Sequence, residues 1–441
     1  MSHNDNIRLL LNIKDTNITF NEENWIQERN IKGINVKVFT GKLTYKPKAC
    51  PKCGCVNDHS IVKDGYMMSR ITWLRQSNTP TYLELKKQRF WCHECDGRFI
   101  AQTKEVERNC HIAKQVKQSI LFEAADTISN KDLARRHCIS DNTSRRIINR
   151  FMDDYFRRNR TKLAKHMCFD EIKSTKQADK QMSFIFSNED THEVLGILPT
   201  RQLYKLKEYF RQFSLRERST VETIVVDMNA PYMTLVKEMF PNAKVIIDRF
   251  HIIQLISRSL NKTRVQVMNT FNTNKNHGED KKDYRKLKSF WKLILKDFND
   301  VDYLKYRKQR LFKGKMVCDM DIVTHLLSLD QHLTENYWVY QALLEAAKEN
   351  DIEMFQETIT EKSKQNISRY MQTSLKTLLK NIEYISNTFH YKTRSNASLE
   401  GKNNRIKVIK RVSYGYRNFF NFRNRVMISL IFKPGETASL T

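Results

Sequence analysis

Residues 223–252, TIVVDMNAPYMTLVKEMFPNAKVIIDRFHI, decide the fold class of this chain. The stretch contains two units in which a short apolar run is followed by a segment with helical spacing of apolar residues. The first apolar run ends on Asp227 and the second on Asp248. Because strands that alternate with helices pair in parallel, the stretch predicts an α/β sheet.

The segment before this stretch adds further strands. MCFDEI at 167–172 is an apolar run that contains Asp170. MSFIFS at 182–187 and EVLGILP at 193–199 flank the polar turn NED and predict a hairpin. RQLYKLKEYFRQF then has helical spacing.

Three aspartates therefore follow or end predicted strands. A carboxylate at the C-terminal end of a strand in an α/β sheet lies where such folds place their chemistry. For any one of them the simpler interpretation is an N-cap of the next helix, above all for Asp227, which precedes Asn229-Ala230-Pro231. Three in succession favour a catalytic site.

Two cysteine pairs lie nearer the N-terminus. Cys50 and Cys53 form one C-x-x-C pair and Cys92 and Cys95 the other, with β-like alternation between them. Four thiolates in such pairs satisfy tetrahedral zinc, and a site closed by four protein ligands is structural. Gly54 and Gly97 follow the pairs, as the tight turns of a metal-binding loop require.

The alternative for the pairs is a set of reduced, buried cysteines on neighbouring strands. Cys55 and His93 could replace a ligand but fit the paired spacing less well. The other cysteines have no partner at ligand spacing and are interpreted as packing residues: Cys110, Cys138, Cys168 and Cys318. Before the pairs, LLLNIKD at 9–15 and INVKVFTGKLTY at 34–45 predict short strands.

Residues 129–156 predict two helices joined by a tight turn. Ser129 or Asn130 caps the first, KDLARRHC, and the turn ISD leads into NTSRRIINRFMDDYF. Arg145 and Arg146 lie near the start of the second helix, so the pair predicts a helix-turn-helix that presents polar residues to the major groove of DNA. The alternative is a helical hairpin with a solvated basic face.

Charge limits the kind of partner. The chain has 441 residues, with 77 Lys and Arg against 49 Asp and Glu, and a formal charge of +28. This excess favours a polyanion, and nucleic acid is preferred over a membrane because no apolar run approaches the ~20 residues that span a bilayer. The N-terminus lacks the features of a signal peptide, and the cysteine pairs suit a reducing compartment, so we expect a cytoplasmic location. Charge alone also fits a ribosome-associated or RNA-binding protein.

With these motifs the sequence resembles the DDE transposases of bacterial insertion sequences, specifically the insertion-sequence L-three family. The resemblance covers nearly the whole chain. Its marks include the cysteine pairs, the helix-turn-helix, FDEI around Asp170 and VVDM at Asp227. The most specific are DRFHI at 248–252 and SNASLEGKNNRIKVIKR at 395–411.

The resemblance implies a ribonuclease H-like catalytic domain in which Asp170, Asp227 and Glu400 are the catalytic acids. In that fold the strand order is 3-2-1-4-5, so the first strand touches the fourth. Since neighbouring strands lie about 4.8 Å apart, Asp170 and Asp227 can share a metal, whereas Asp248 starts about 9–10 Å away. Asp248 and His251 are interpreted as a site-supporting pair, with a purely structural pair as the alternative.

The resemblance also implies the reaction and its metals. Two Mg2+ (or Mn2+) ions on the carboxylates would activate the attacking oxygen and clamp the leaving oxygen, and zinc would be structural. Basic residues beyond Glu400 would grip phosphates, with a solvated basic face as the alternative: Lys402, Arg405, Lys407, Lys410 and Arg411. Other glutamates compete with Glu400 by position alone: Glu345, Glu353 and Glu357.

The predicted architecture is a multidomain α/β chain. Its parts are an N-terminal segment (1–45), a zinc ribbon (46–100), a helix-turn-helix (101–160), a catalytic core (165–258 and 386–441) and an all-helical insertion (259–385). The predicted partners are double-stranded DNA and further copies of the chain. The DNA includes the terminal inverted repeats of the element and the target, and the copies are expected to assemble on it in the bacterial nucleoid. A non-catalytic DNA-binding regulator and a structure-specific nuclease of the same fold remain alternatives.

Overall fold

The computed structural model describes residues 2–159, 162–272, 278–362 and 367–431. Contacts divide the chain into two units. The first comprises the described residues of Met1–Arg160, Ser174–Gln177 and Asn404–Thr441, and the second those of Thr161–Lys173 and Ala178–Asn403.

The first unit begins with a helix and a six-stranded sheet. The elements are α1 (His3–Leu10), β1 (Ile18–Phe20), β2 (Ile26–Ile31), β3 (Ile34–Leu43), β4 (Ile61–Gln76), β5 (Thr79–Cys92) and β6 (Gly97–Ile100). The path is β1-β3-β5-β4, with β2 beside β3 and β6 beside β5. The predicted strand at 34–45 is confirmed, but the one at 9–15 is wrong. That segment starts inside α1, whose N-cap Ser2 forms a capping box with Asp5.

Three helices follow in the same unit: α2 (Lys114–Glu123), α3 (Asn130–Arg136) and α4 (Asp141–Arg158). Ser129 caps α3 by accepting from the backbone N–H of Asp132 at 3.1 Å, as predicted. Ser140 caps α4 in the same way through Thr143. Leu133 of α3 and Ile148 and Met152 of α4 are buried, so the two helices share an apolar core.

The second unit contains the five-stranded sheet. Its strands are β7 (His166–Lys173), β8 (Met182–Asn188), β9 (Val194–Leu198), β10 (Thr223–Val226) and β11 (Lys244–Ile247), with helices α5 (Leu203–Phe210), α6 (Leu215–Arg218) and α7 (Ala230–Met239) between them. The order across the sheet is β11-β10-β7-β8-β9. β8 and β9 form the predicted antiparallel hairpin, and β10 is parallel to both β7 and β11.

Aromatic packing holds the sheet against its helices. Phe169 of β7 lies 4.9 Å from Phe184 of β8 and 5.7 Å from Phe210 of α5, between ring centroids. All three side chains are fully buried. Burial of this kind stabilises a fold by about 25 cal/mol per Å² of apolar surface, so the core fixes the position of β7 and of the aspartate that follows Phe169.

A long, mostly helical region follows the sheet. Its elements are α8 (Arg249–Thr270), α9 (Glu279–Ser289), α10 (Trp291–Ile294), β12 (Arg307–Gln309), β13 (Lys315–Val317), α11 (Asp319–Leu327), α12 (Gln331–Glu349), α13 (Ile352–Lys362), α14 (Arg369–Lys380) and α15 (Ile382–His390). The all-helical prediction for 259–385 is wrong, because β12 and β13 form an antiparallel hairpin. Lys313 and Gly314 at its turn have positive φ values of 56° and 77°. The predicted boundary at 258 falls inside α8.

Two helices close the described chain: α16 (Ala397–Val412) and α17 (Phe419–Ile431). The first residues of α16 belong to the second unit, and its residues from Asn404 onward belong to the first. In the part of the chain that the structure describes, none of the helices combines the length and apolar character needed to cross a membrane.

Candidate active site and metal centre

Asp170 and Asp227 lie at the same level of the sheet on neighbouring strands. Val225 of β10 is paired with Cys168 of β7, and each aspartate lies two residues further along its strand direction. Adjacent strands are about 4.8 Å apart. Within the described residues, helix α7 begins after Asn229, whose side chain makes no capping hydrogen bond. Asp227 therefore does not cap α7, which was the alternative role that the sequence suggested for it.

The Asp170 carboxylate is bound through both oxygens. Oδ1 accepts from the backbone N–H of Glu171 at 2.7 Å, and Oδ2 accepts from Nδ2 of Asn403 at 2.5 Å. Burial, together with the charge of Asp227, raises the pKa of Asp170 to about 6, against the opposing effect of the Glu171 amide. The protein thus holds a carboxylate here in an environment that disfavours its negative charge.

Asp227 is paired with His251 of α8. Oδ1 of Asp227 lies 2.7 Å from Nε2 of His251, and both side chains are about one-third exposed. The hydrogen bond to Asp227 raises the pKa of His251, because it stabilises the imidazolium form. His251 was predicted beside Asp248, but its ring pairs with Asp227.

Asp248 is buried, with 7% of its surface exposed, and has two bonded partners. Oδ1 accepts from the backbone N–H of Phe250 at 2.8 Å and so caps α8. Oδ2 accepts from the backbone N–H of Asn396 at 2.7 Å. The carboxylate thus connects the start of α8 to the residue that precedes α16.

Asn396 fixes the first turn of α16. Its backbone oxygen accepts from the N–H groups of Leu399 and Glu400, both at 3.0 Å, and its Nδ2 donates to the carbonyl of Phe169 at 3.3 Å. Phe169 immediately precedes Asp170 in β7. Asn396 therefore ties the turn that carries Glu400 to the strand that carries Asp170.

Glu400 itself is exposed in the first turn of α16. Asn403, the partner of Asp170, lies three residues further on the same helix, and residues with this spacing are neighbours on a helix surface. Among the described residues, the carboxylates do not form a group of three with oxygens within 4.8 Å of one another. Glu400 thus lies one helical turn before Asn403, the residue that contacts Asp170, and the three acids do not form one cluster.

A buried ion pair anchors the chain just before Asn396. Oε1 of Glu189 accepts from the backbone N–H of Ser395 at 3.1 Å, and Arg394 lies 3.4 Å from Oε2 of Glu189 and 2.5 Å from Asp190. Burial raises the pKa of Glu189 to about 7, although Arg394 opposes the shift. Sequence analysis missed Glu189, Asn396 and Asn403. The signal that could have identified the two asparagines was their uncharged side chains within a strongly basic motif.

The five predicted phosphate-binding residues of α16 differ in their surroundings. Lys402 is half-buried, and burial lowers its pKa. Arg405 donates to the carbonyl of Ala125 at 3.0 Å, and Lys410 donates to the carbonyl of Ser174 at 2.8 Å. Lys407 and Arg411 are exposed.

The cysteines of the N-terminal pairs meet beside the β4–β5 hairpin. The sulfurs of Cys50, Cys53, Cys55 and Cys92 all lie within 4.8 Å of one another. Cys95 joins them, since its sulfur is 3.8 Å from that of Cys50. The cluster therefore contains five thiols, one more than the sequence prediction.

Both predicted glycines in these turns have a structural reason. Gly54 has a φ of +78°, which L side chains rarely adopt. At Gly97 an added Cβ would lie 2.9 Å from the Cys95 sulfur, closer than real Cβ contacts come. The cysteine cluster thus depends on conformational freedom at one glycine and on close approach at the other.

The two arginines of α4 also differ. Arg145 forms an ion pair with Asp141 one turn earlier. Arg146 is exposed and has no ion-pair partner among the residues that the structure describes. An open groove of about 660 Å³ runs along this helix, lined by α4 residues including Asn142, Arg146 and Arg150 and by Asn421 of α17.

Most of the chain is similar in sequence to known proteins. Residues 167–426 match the ISL3 transposase family, and residues 46–95 match the zinc finger of the transposases of IS204, IS1001, IS1096 and IS1165. The transposase for insertion sequence element IS1001 of Bordetella parapertussis is 21% identical over 385 residues, which cover 86% of this chain and 87% of that protein. The zinc-finger match and the cysteine cluster together support a structural zinc ion.

A second relative matches a shorter part. A Lactococcus lactis protein named ATP-dependent protease is 37% identical over 124 residues, 28% of this chain and 39% of that protein's length. The Gly-x-x-x-x-Gly-Lys-Ser/Thr motif that cradles nucleotide phosphates does not occur in this sequence. This likeness therefore provides no support for an ATP-dependent activity here.

The Asp227–His251 pair predicts a pH-dependent signal. In metal-free buffer, the His251 ring should titrate above 6.5, the ordinary value, and Asp227→Asn should lower its pKa. Because the folded pKa is raised, the pair stabilises the fold fully below about pH 6.5, and that contribution is lost as pH rises through the folded value. NMR titration of the His251 ring measures this, and equal pKa values in the two proteins would contradict the pairing.

Proposed function

Because the chain belongs to the ISL3 family of insertion-sequence transposases, we propose that it binds the ends of an insertion element and cuts and joins DNA at Asp170, Asp227 and Glu400. The observation that carries the proposal is the contact between Asp170, which lies beside Asp227 in the sheet, and the helix that carries Glu400. Asn403 provides that contact through its 2.5 Å bond to Asp170.

We infer that the five-stranded sheet is a ribonuclease H-like catalytic core. Numbered within the sheet, its strand order β9-β8-β7-β10-β11 is 3-2-1-4-5, with the second strand antiparallel to the first. In this order the acid of the first strand is adjacent to that of the fourth. This is the arrangement expected for two carboxylates that share metal ions.

The choice of Asp227 over Asp248 as the second acid follows from their partners. Asp248 is buried and accepts two backbone hydrogen bonds, so its role is to position the starts of α8 and α16. Asp227 is partly exposed, and its ion-pair partner is His251, which can release it when a stronger cation binds. The side chain of Asp227 is therefore the one available as a ligand.

The acids fit a hard divalent cation. Oxygen ligands select Mg2+ or Mn2+, and a cation would stabilise the Asp170 carboxylate, whose pKa is raised by burial and by the charge of Asp227. When bound, two such ions supply activation of the attacking oxygen and stabilisation of the leaving oxygen. The residues of the chain hold the carboxylates in place: the Glu171 amide and Asn403 orient Asp170, His251 orients Asp227, and Asn396 sets the turn of Glu400.

For zinc, the four cysteines of the two C-x-x-C pairs are proposed as ligands, with Cys55 as the competing fourth ligand because its sulfur lies within 4.8 Å of those of Cys50, Cys53 and Cys92. A tetrahedron with Zn–S bonds of about 2.3 Å has sulfur–sulfur edges of about 3.8 Å. The Cys50–Cys95 distance of 3.8 Å and the Cys53–Cys92 distance of 3.9 Å match that edge. Cys55 lies 3.3 Å from Cys92, which is shorter than an edge and suits a thiol hydrogen-bonded to a ligand sulfur.

Helices α3 and α4 are proposed as the helix-turn-helix, with α4 as the recognition helix. The pair shares a buried core, both starts are capped by serine, and the exposed face of α4 borders a polar groove. Arg146 is free to reach a base edge or phosphate, whereas Arg145 must first leave Asp141. At the other end of the chain, Lys407 and Arg411 are the exposed members of the predicted phosphate-binding set.

The role of Glu400 is tested by Glu400→Gln, which keeps the shape and removes the charge. DNA binding should persist, while cleavage and joining of labelled element ends with Mg2+ should each fall about 100-fold or more. Glu345→Gln is the matched control and should retain activity. If the Glu400 variant retained full strand transfer and the Glu345 variant lost it, the third catalytic acid would be assigned to the insertion at 259–385. Cleavage without joining by the unmodified protein would favour a nuclease.

The zinc assignment predicts opposite outcomes for two neighbouring cysteines. Purified protein should contain about one zinc ion per chain. Cys95→Ser should lose it, because a tetrahedral ligand is removed, whereas Cys55→Ser should retain it. Metal analysis of the three proteins decides the question. Retention in Cys95→Ser with loss in Cys55→Ser would assign the fourth ligand to Cys55.

The two arginines of α4 predict unequal effects on binding. Arg146→Ala should weaken binding to element ends on the order of tenfold, and Arg145→Ala should weaken it less because that guanidinium is already paired. Fluorescence anisotropy at fixed salt, with element-end and scrambled duplexes, measures affinity and sequence preference. An equal or larger loss for Arg145→Ala would contradict the proposed contact.

A further inference from the structure

The hairpin formed by β12 and β13 has a surface that the active-site proposal does not use. Residues 303–317, YLKYRKQRLFKGKMV, contain six cations and no acid, and we call this segment the basic hairpin. Its exposed apolar residues are Tyr303, Leu304, Tyr306 and Met316, which are 64%, 74%, 56% and 58% exposed. Soluble surfaces rarely combine this much charge of one sign with so many large apolar groups unless a partner covers them.

The basic hairpin is fixed to its unit, so its exposed side is presented in a defined orientation. Val317 is buried, and the Phe312 ring packs 5.2 Å from His325 of α11 and 6.2 Å from Phe290. Arg307 pairs with Asp319, and Lys313 lies 2.6 Å from Glu279. The hairpin is therefore a structured element that is anchored by some of its side chains and leaves others exposed.

The basic hairpin retains unneutralised charge. Lys308, Arg310 and Lys315 are exposed, and none has an ion-pair partner in the described ranges of the chain. Each such cation can contact a phosphate and release a counterion, which makes affinity salt-dependent. In the sequence, Tyr303 lies two residues before Lys305, and Tyr306 lies between Lys305 and Arg307. Exposed aromatic rings close to cations are typical of surfaces that bind nucleic acid by stacking on bases.

We propose that the basic hairpin is a second DNA-binding surface, in which Lys308, Arg310 and Lys315 hold the phosphate backbone and Tyr303 and Tyr306 stack on bases that are unpaired at an opened DNA end. The proposal rests on the proposed function, since it assumes a chain that binds and opens DNA. A protein partner fits less well, because it would need a matching set of acids around an aromatic-binding surface.

The charge contribution is tested with the full chain and an element-end duplex. Lys308→Ala/Lys315→Ala should reduce the slope of log K against log salt by about 1.8, at about 0.9 per phosphate contact. The matched control, Lys376→Ala/Lys380→Ala, removes two exposed lysines of α14 in the same region and should leave the slope unchanged. Equal slopes in all three proteins, or equal losses in both variants, would overturn the proposal.

The stacking contribution is tested with two probes, a blunt duplex and the same duplex with a single-stranded extension. Tyr303→Ala and Tyr306→Ala should each lower affinity for the extended probe on the order of tenfold, leave the blunt probe unchanged, and be rescued by Phe. If the unmodified protein bound neither probe, the proposed function itself would fail. Binding of both probes without any change in the tyrosine variants would remove the stacking role. If the variants of the basic hairpin lost binding to anionic lipid vesicles but kept binding to DNA, the surface would be assigned to a membrane.

Discussion

The burial of one carboxylate beside a second, at adjacent strand ends, is the constraint on which the candidate active site depends. Parallel pairing of β7 with β10 brings Asp170 and Asp227 to one level of the sheet, and Asp170 is too buried for water to screen them well. The protein stabilises the two carboxylates with the Glu171 amide, the Asn403 amide and the His251 ring. None of these is a lysine or arginine, so the site keeps the negative charge that a metal ion requires.

Two acids outside the pair position the helix that carries Glu400. Asp248 and Glu189 are both buried, and both accept from backbone N–H groups of the short segment that leads into α16, at Asn396 and Ser395. These bonds determine where the helix starts, and Asn403 then sets its rotation against Asp170. Three polar anchors thus position a helix turn whose glutamate is exposed and makes little packing contact of its own.

Local sequence patterns predicted the strands of the five-stranded sheet, the serine cap of α3 and the cysteine pairs, because each depends on residues close together in the chain. The anchors of α16 were not predictable in this way, since the contacts of Asn396 and Asn403 with β7 join residues 227 and 233 positions apart. The role of Glu400 came from the resemblance of its motif. The hairpin β12–β13 was missed because each strand is only three residues long, too short to show the apolar alternation that identifies a strand.

The net charge overstates how many cations of the chain are available to bind DNA. Arg425 is 1% exposed and donates to the carbonyls of Asp126 and Ile128, and Arg264 is buried and donates to the carbonyl of Leu287. Arg405 and Lys410 likewise bind carbonyl groups of their own unit. These cations close helix ends and loops, where a positive group satisfies otherwise unpaired carbonyls. The sum of charges is therefore a poor guide to the partner of a strongly basic protein. Exposed cations without an ion-pair partner among the described residues, such as Arg146 and Lys308, are a better one.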